Sequence, residues 1–237
     1  MLYQGRNQRS KNRGKLYIVA TPIGNLEDLT LRALKILKQV PFIACEDTRH
    51  TRKLLNRYHL KKKLISYYHP KETQKVPKII HLLDQGRDVA LVSDAGTPGV
   101  SDPGYPLIRK AIREGMEIVP VPGASALTAA LSSSGLPTHR FLFIGFPPSK
   151  KEATRKLLHS LIEEKGTLIF YLPTRKLLLF LSLIHEIMGN RQVVVAREMT
   201  KIHEEFIRGP AQKLREIIQN RKLKGEVTLL VEGRPKK

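Results

Sequence analysis

The thirteen residues "VSDAGTPGVSDPG" (Val92–Gly104) hold two Ser-Asp pairs, three glycines and two prolines. Glycine lets a backbone take positive φ or approach a ligand closely, while Ser and Asp side chains hydrogen-bond at short range. Three other stretches share this character: "TPIGN" (Thr21–Asn25), "CEDTR" (Cys45–Arg49) and "PGASA" (Pro122–Ala126). Each follows a short apolar run that reads as a strand. In open α/β sheets, ligands bind beyond the carboxyl ends of the strands. A single loop of this kind is no more than a strand-to-helix turn requires. Four of them in one half of a chain predict a ligand site lined by backbone, with carboxylates beside it.

Several chemistries are excluded. There is no G-x-x-x-x-G-K-[ST] phosphate loop. "TPIGN" stands where a dinucleotide fold would carry G-x-G-x-x-G. His50, His59, His69 and His81 are scattered without metal-ligand spacing, so no metal is expected. The single cysteine, Cys45, rules out a disulfide framework and a thiolate zinc site. It follows "FIA" and is expected to be packed at a strand end.

The elements that must position these loops alternate along the chain. "KLYIVATPIGN" reads as a buried strand. "LTLRALKILKQV" is a helix capped by Asp28 or Thr30. "PFIACED" is a short strand, and "TRHTRKLLNRYH" a helix capped by Asp47 or Thr48. "VPKIIHLLDQG" is a helix, "DVALVS" a strand, "YPLIRKAIREG" a helix and "EIVPVPG" a strand. Ser101–Gly104 reads as the cap of the helix that follows it, with Asp102 facing the ligand. The second half continues with the helix "ASALTAALSSSG", the strand "RFLFIGF", the helix "KEATRKLLHSLIEEKG" and the strand "TLIFYL". The helix "KLLLFLSLIHEIMG", strands "QVVVARE" and "EFIRG", the helix "AQKLREIIQN" and the strand "EVTLLVEG" complete it. This alternation predicts an α/β protein with largely parallel sheets, and some antiparallel pairing around Thr200-Lys201. The expected divisions are a disordered basic tail over 1–14, an N-terminal α/β domain over 15–122 and a C-terminal α/β domain over 123–237.

Charge adds a functional clue. Forty-two Lys and Arg against twenty-one Asp and Glu give +21 in 237 residues. Five basic residues and no acid fall in the first fifteen, and taking them away still leaves +16. Such a field attracts polyanions. The longest apolar stretches, such as "LLLFLSLI" (Leu177–Ile184), are too short for a bilayer, and no secretory leader is visible. The chain reads as cytoplasmic, with no membrane partner.

"TPIGNLEDLTLRAL", "EDTRHTRKLL", "SDAGTPGVSDPGYPL", "VPVPGASALTAALSSSGLP", "FLFIGF" and "GEVTLLVEG" occur in this order. From about Lys15 to Gly233 the chain resembles the ribosomal RNA small subunit methyltransferase I family, the cytidine 2′-O-ribose branch of the tetrapyrrole methylases. The resemblance implies a tetrapyrrole-methylase-like α/β fold of two domains with a cofactor cleft between them. It also implies a homodimer, S-adenosylmethionine as cofactor, and 16S rRNA or the small ribosomal subunit as substrate. Carried over position by position, it puts Pro22, Gly24, Ser93, Asp94, Ala95, Gly96, Thr97, Ser101, Asp102 and Ala124 on the cofactor. Phe146 and Leu172, at later strand ends, would lie on its adenine side. One segment departs from the pattern: the family usually carries an acid and a histidine where this chain reads "FYLPTRKL" (Phe170–Leu177). Many members also extend further at the C-terminus.

A ribose 2′-hydroxyl needs a base to take its proton, a contribution of roughly 10²–10⁴-fold. Glu46, Asp47, Asp94 and Asp102 are the candidates. The catalytic assignment falls on Asp47, Asp102 and Arg49, although an Asp facing Arg49 would be well ionised and weakly basic. Arg49, Arg52, Lys53 and Arg57, on one short helix, would contact RNA phosphates. Two other readings stay open: a methylase of an acidic tetrapyrrole, and a non-catalytic basic RNA-binding protein on the same fold.

Overall fold

A computed structural model describes residues 13–235. The tail expected over 1–14 lies outside the described residues as far as Asn12. Arg13 is held by Asp84 at 3.1 Å and by the Glu114 carbonyl, and the Gly14 N–H donates to Leu83 O at 2.8 Å. The chain divides into two compact units after Ser125, three residues beyond Pro122.

The first unit carries five strands of four residues each: β1 (Leu16–Val19), β2 (Phe42–Cys45), β3 (Lys63–Ser66), β4 (Val89–Val92) and β5 (Ile118–Val121). They form one parallel sheet in the order β3-β2-β4-β1-β5. The central strand β4, "VALV", is buried on both faces, which is why it reads as a continuous apolar run. Pro120 is tolerated because β5 is an edge strand.

Helices α1 (Leu31–Gln39) and α2 (Thr48–Arg57) cover one face, with Ile36, Leu37, Leu54 and Leu55 against Val19, Ile43 and Val92. Helices α3 (Glu72–Asp84) and α4 (Tyr105–Arg113) cover the other, with Ile79, Leu83 and Leu107 against Leu16, Ala44 and Leu91. Thr30 caps α1 by accepting from Ala33 N, and Asp47 caps α2 by accepting from Arg49 N.

Two features depart from the sequence reading. Strand β3, "KLIS", is an additional edge strand that its lysine-rich surroundings conceal. Helix α3 begins at Glu72, a turn before the expected Val76, and holds Pro77 within it. Proline reads as a helix start because it is best tolerated there.

The second unit opens with α5 (Ala126–Ser134) and contains β6 (Phe141–Gly145), β7 (Thr167–Pro173), β8 (Gln192–Arg197), β9 (Glu205–Pro210) and β10 (Glu226–Val231). Their order is β6-β7-β10-β8-β9. Against the largely parallel sheets expected, only β6 and β7 run parallel here; β7, β10, β8 and β9 pair antiparallel, of which the β8–β9 pair was expected. Helices α6 (Lys151–Ser160), α7 (Leu177–Met188) and α8 (Ala211–Ile218) close its main core over Phe170, Val195 and Leu229.

The start of α4 is capped from across the fold. Its N-cap residue, Gly104, has no side chain to do so. The buried Glu72 carboxylate accepts from Gly104 N at 3.2 Å, and Tyr67 Oη accepts from Leu107 N at 3.3 Å. Glu72→Ala therefore leaves a buried N–H unpaired. We expect it to lose about 1–3 kcal/mol of stability by urea unfolding, with Glu72→Gln closer to wild type.

Candidate active site

The five strands of the first unit stop in one row. Val92 is in register with Val19 and with Cys45, Cys45 with Ser66, and Val19 with Val121. The loops that follow must leave the sheet side by side. "TPIGN" and "SDAGTP" are joined by a two-bond bridge: Thr21 N donates to Gly96 O at 2.9 Å, and Gly96 N to Thr21 O at 3.0 Å. Gly96 sits at φ +82°, a conformation that side chains disfavour. Thr21 Oγ1 donates to Ser93 O at 3.0 Å, and Thr97 Oγ1 to Ala124 O at 3.5 Å. Asp94 Oδ1 accepts from Asp47 N at 3.0 Å, which ties "CEDTR" to the same group.

The structure thus brings together Pro22, Gly24, Ser93, Asp94, Ala95, Gly96, Thr97 and Ala124. Pro22, Ser93 and Gly96 are buried, Gly24 and Ala95 exposed, and the others half-buried. Ser93 Oγ is buried without a hydrogen-bond partner among the described residues. Such an atom is costly unless a bound molecule satisfies it. Ser101 lies further along, exposed and at φ +64°, and Asp102 is half-buried beside it.

The carboxylates divide by partner. Asp47 is committed: it caps α2, and its carboxylate holds the Arg49 guanidinium at 2.7 Å. These bonds hold its pKa far below the usual carboxylate range, so Asp47 is ionised and weakly basic. Glu46 is the opposite case. It is half-buried and makes no hydrogen bond or ion pair among the described residues. Burial pushes its pKa up, and Asp94, Asp102 and Asp47 push it further, while His69 opposes them. His69 is itself 2.9 Å from Glu72. The sequence reading missed Tyr67, His69 and Glu72 because it missed β3, which delivers the first two beside the other loops.

The four cations of α2 form its outer face. Arg49, Arg52, Lys53 and Arg57 are exposed, while Thr51, Leu54 and Leu55 are buried. Of the two second-unit candidates, Phe146 is 63% exposed. Leu172 is 1% exposed, its side chain packed with Phe170 and Leu177, so it has no side-chain surface to offer a ligand.

Comparison with known proteins decides the family. The model of the Tetrapyrrole (Corrin/Porphyrin) Methylases matches residues 15–215. A Halalkalibacterium halodurans protein named Ribosomal RNA small subunit methyltransferase I is 48% identical over 238 residues, covering 100% of this chain and 82% of that protein. Its Thermotoga maritima namesake is 48% identical over 221 residues, covering 93% and 99%. This chain belongs to the ribosomal RNA small subunit methyltransferase I family. The fold agrees: the solved methyltransferase CobJ superposes with a TM-score of 0.69 at 20% identity, covering 93% of this chain and 94% of that one. Leu172 of "FYLPTRKL" is a core residue here.

The raised pKa of Glu46 has a consequence for stability. A carboxyl whose folded pKa exceeds its unfolded value, about 4.3, stabilises the fold while protonated. That contribution is complete below the unfolded value and is lost as pH rises through the folded one. Ionised Glu46 therefore weakens the fold at neutral pH. We expect Glu46→Gln to melt above wild type at pH 7, with the gap closing in acid; scanning calorimetry across pH checks this.

Proposed function

We propose that this enzyme transfers a methyl group from S-adenosylmethionine to the ribose 2′-hydroxyl of a cytidine in the 16S rRNA of the small ribosomal subunit. The observation that carries the reading is the joining of four strand-end loops around backbone and one buried, unsatisfied hydroxyl, Ser93 Oγ. The named relatives and the +21 charge support an rRNA substrate over a small acidic macrocycle. The same reading has the enzyme working as a homodimer in the cytoplasm. No helix among the described residues is long and apolar enough to cross a membrane.

The residues present suit the cofactor. The exposed Gly24 and Ala95 offer backbone, and Ser93 Oγ and Asp94 offer polar atoms. When bound, the donor supplies a methyl group on a sulfonium, already activated for displacement. The chain's own task is then alignment and proton removal. Holding reactants in line contributes roughly 7–11 kcal/mol. Rigid loops, tied backbone to backbone, suit that task. Glu46 accepts the 2′-hydroxyl proton in this reading, because an unpaired carboxylate of raised pKa is the better base. Asp94 positions the Glu46–Asp47 turn through Asp47 N. Arg49, Arg52, Lys53 and Arg57 meet RNA phosphates, which sets register but does not choose the base.

Labelled methyl transfer to unmodified 30S subunits and to naked 16S rRNA tests the function. Label on a cytidine ribose is expected; label on a base, or none, overturns it. Glu46→Gln should lower kcat about 10²–10⁴-fold and leave calorimetric cofactor affinity near wild type.

The cation assignment predicts a salt effect. Neutralising Arg52, Lys53 and Arg57 together should flatten the dependence of log K on log salt for single-stranded RNA. The slope should fall by about 0.7 for each phosphate that the protein no longer neutralises. A fluorescence titration over a salt series measures it.

A further inference from the structure

The second unit carries an aromatic cluster that includes Phe146, which the family resemblance puts on the cofactor's adenine side. Phe143, on β6, meets Tyr171, on the adjacent β7, edge to face at 5.0 Å between ring centroids. Phe146 meets the same Tyr171 ring at 5.6 Å. In a regular strand, residues three apart point to opposite faces. Here the register with β7 shifts between Phe143 and Gly145, and Gly145 sits at φ +72°. The bulge turns Phe146 back to the side of Phe143, the re-aiming that bulges provide near functional sites.

The ring rests edge to face against Tyr171 and remains 63% exposed. Two prolines follow it, and the buried Thr154 Oγ1 donates to Pro148 O at 2.9 Å and to Lys150 O at 3.2 Å. An exposed ring of set orientation offers an occupant a flat apolar face. The charge around it narrows the choice. Because β6 and β7 are parallel, the loops after both leave the same end of the sheet. They bring exposed Lys150, Lys151 and Arg175; the bordering acids are Glu152, 3.9 Å from Arg155, and Glu226, level with Pro173 on β10 and 3.9 Å from Lys201. Lys150 and Arg175 are in no ion pair among the described residues. Flat aromatic surface beside unpaired cations is the composition of a single-stranded nucleic-acid platform.

We infer that Phe146 stacks on a nucleobase of single-stranded RNA, with Lys150, Lys151 and Arg175 on the neighbouring phosphates. This deepens, and rests on, the rRNA reading above. It reassigns Phe146 from the cofactor's adenine to the RNA.

The chain contains no tryptophan, so Phe146→Trp creates a unique emitter. An oligocytidine of about ten nucleotides should quench that emission, and a duplex RNA should not. Phe146→Ala should bind the oligonucleotide roughly tenfold more weakly, while Phe146→Tyr and Phe146→Trp stay near wild type. Calorimetric affinity for S-adenosylmethionine should be unchanged in all three. Equal RNA affinity in Phe146→Ala, or no quenching, overturns the inference. Loss of cofactor affinity would overturn it by giving the ring to the donor's adenine. A shift from dimer to monomer in sedimentation would overturn it by giving the ring to a second copy. Methyl transfer by the wild type tests the underlying activity separately, because quenching requires no turnover.

Discussion

Strand register is the constraint on which the first unit depends. Val92 of the central strand lies level with Val19 on one side and Cys45 on the other, and the outer strands stop in the same row. With four residues per strand there is little room to stagger. A slip of one residue would send each side chain to the opposite face. Both faces are occupied, by Leu16, Ala44 and Leu91 on one and Val19, Ile43 and Val92 on the other. Core packing therefore fixes the register, and the register fixes where the polar loops emerge. The Thr21–Gly96 bridge and the Asp94–Asp47 bond then lock loops that the sheet has already placed.

Electrostatics works at two scales. Outside, an excess of Lys and Arg gives the enzyme a field suited to a polyanion. At the strand ends, Asp94, Asp102 and Asp47 are near enough to Glu46 to raise its pKa. The protein distributes the strain unequally. Arg49 neutralises Asp47, and Asp94 is engaged by a backbone N–H, so Glu46 carries the unrelieved desolvation. Ionised Glu46 therefore costs the fold stability. Glu72 shows the contrasting use of a buried acid. It is satisfied by Gly104 N and His69, and it serves the start of α4.

The second unit reaches a different solution with similar elements. Its sheet also has five strands, mostly antiparallel and each longer than four residues, and a large apolar core gathers on one face under α6, α7 and α8. The bulge at Gly145 shows how one residue can change what a strand presents, since it moves an aromatic ring from one face to the other.

The sequence by itself determined most of the element order, the loops that matter and the family. Those features are written in local chemistry: glycine and proline at turns, leucine at helical spacing, Thr30 and Asp47 as caps. It also placed an Asp beside Arg49, and the two pair at 2.7 Å. Tertiary structure alone decided the rest. Strand β3 was hidden because an edge strand needs only one pairing and its lysines read as surface. Glu72 became a cap for a helix thirty-two residues away, which no local signal announces. Leu172 went into the core because alternation along β7 puts it beside Phe170. Glu46 stood out from its neighbours only once their partners were known. A pKa depends on burial and on nearby charge, and both are properties of the folded chain rather than of the residue.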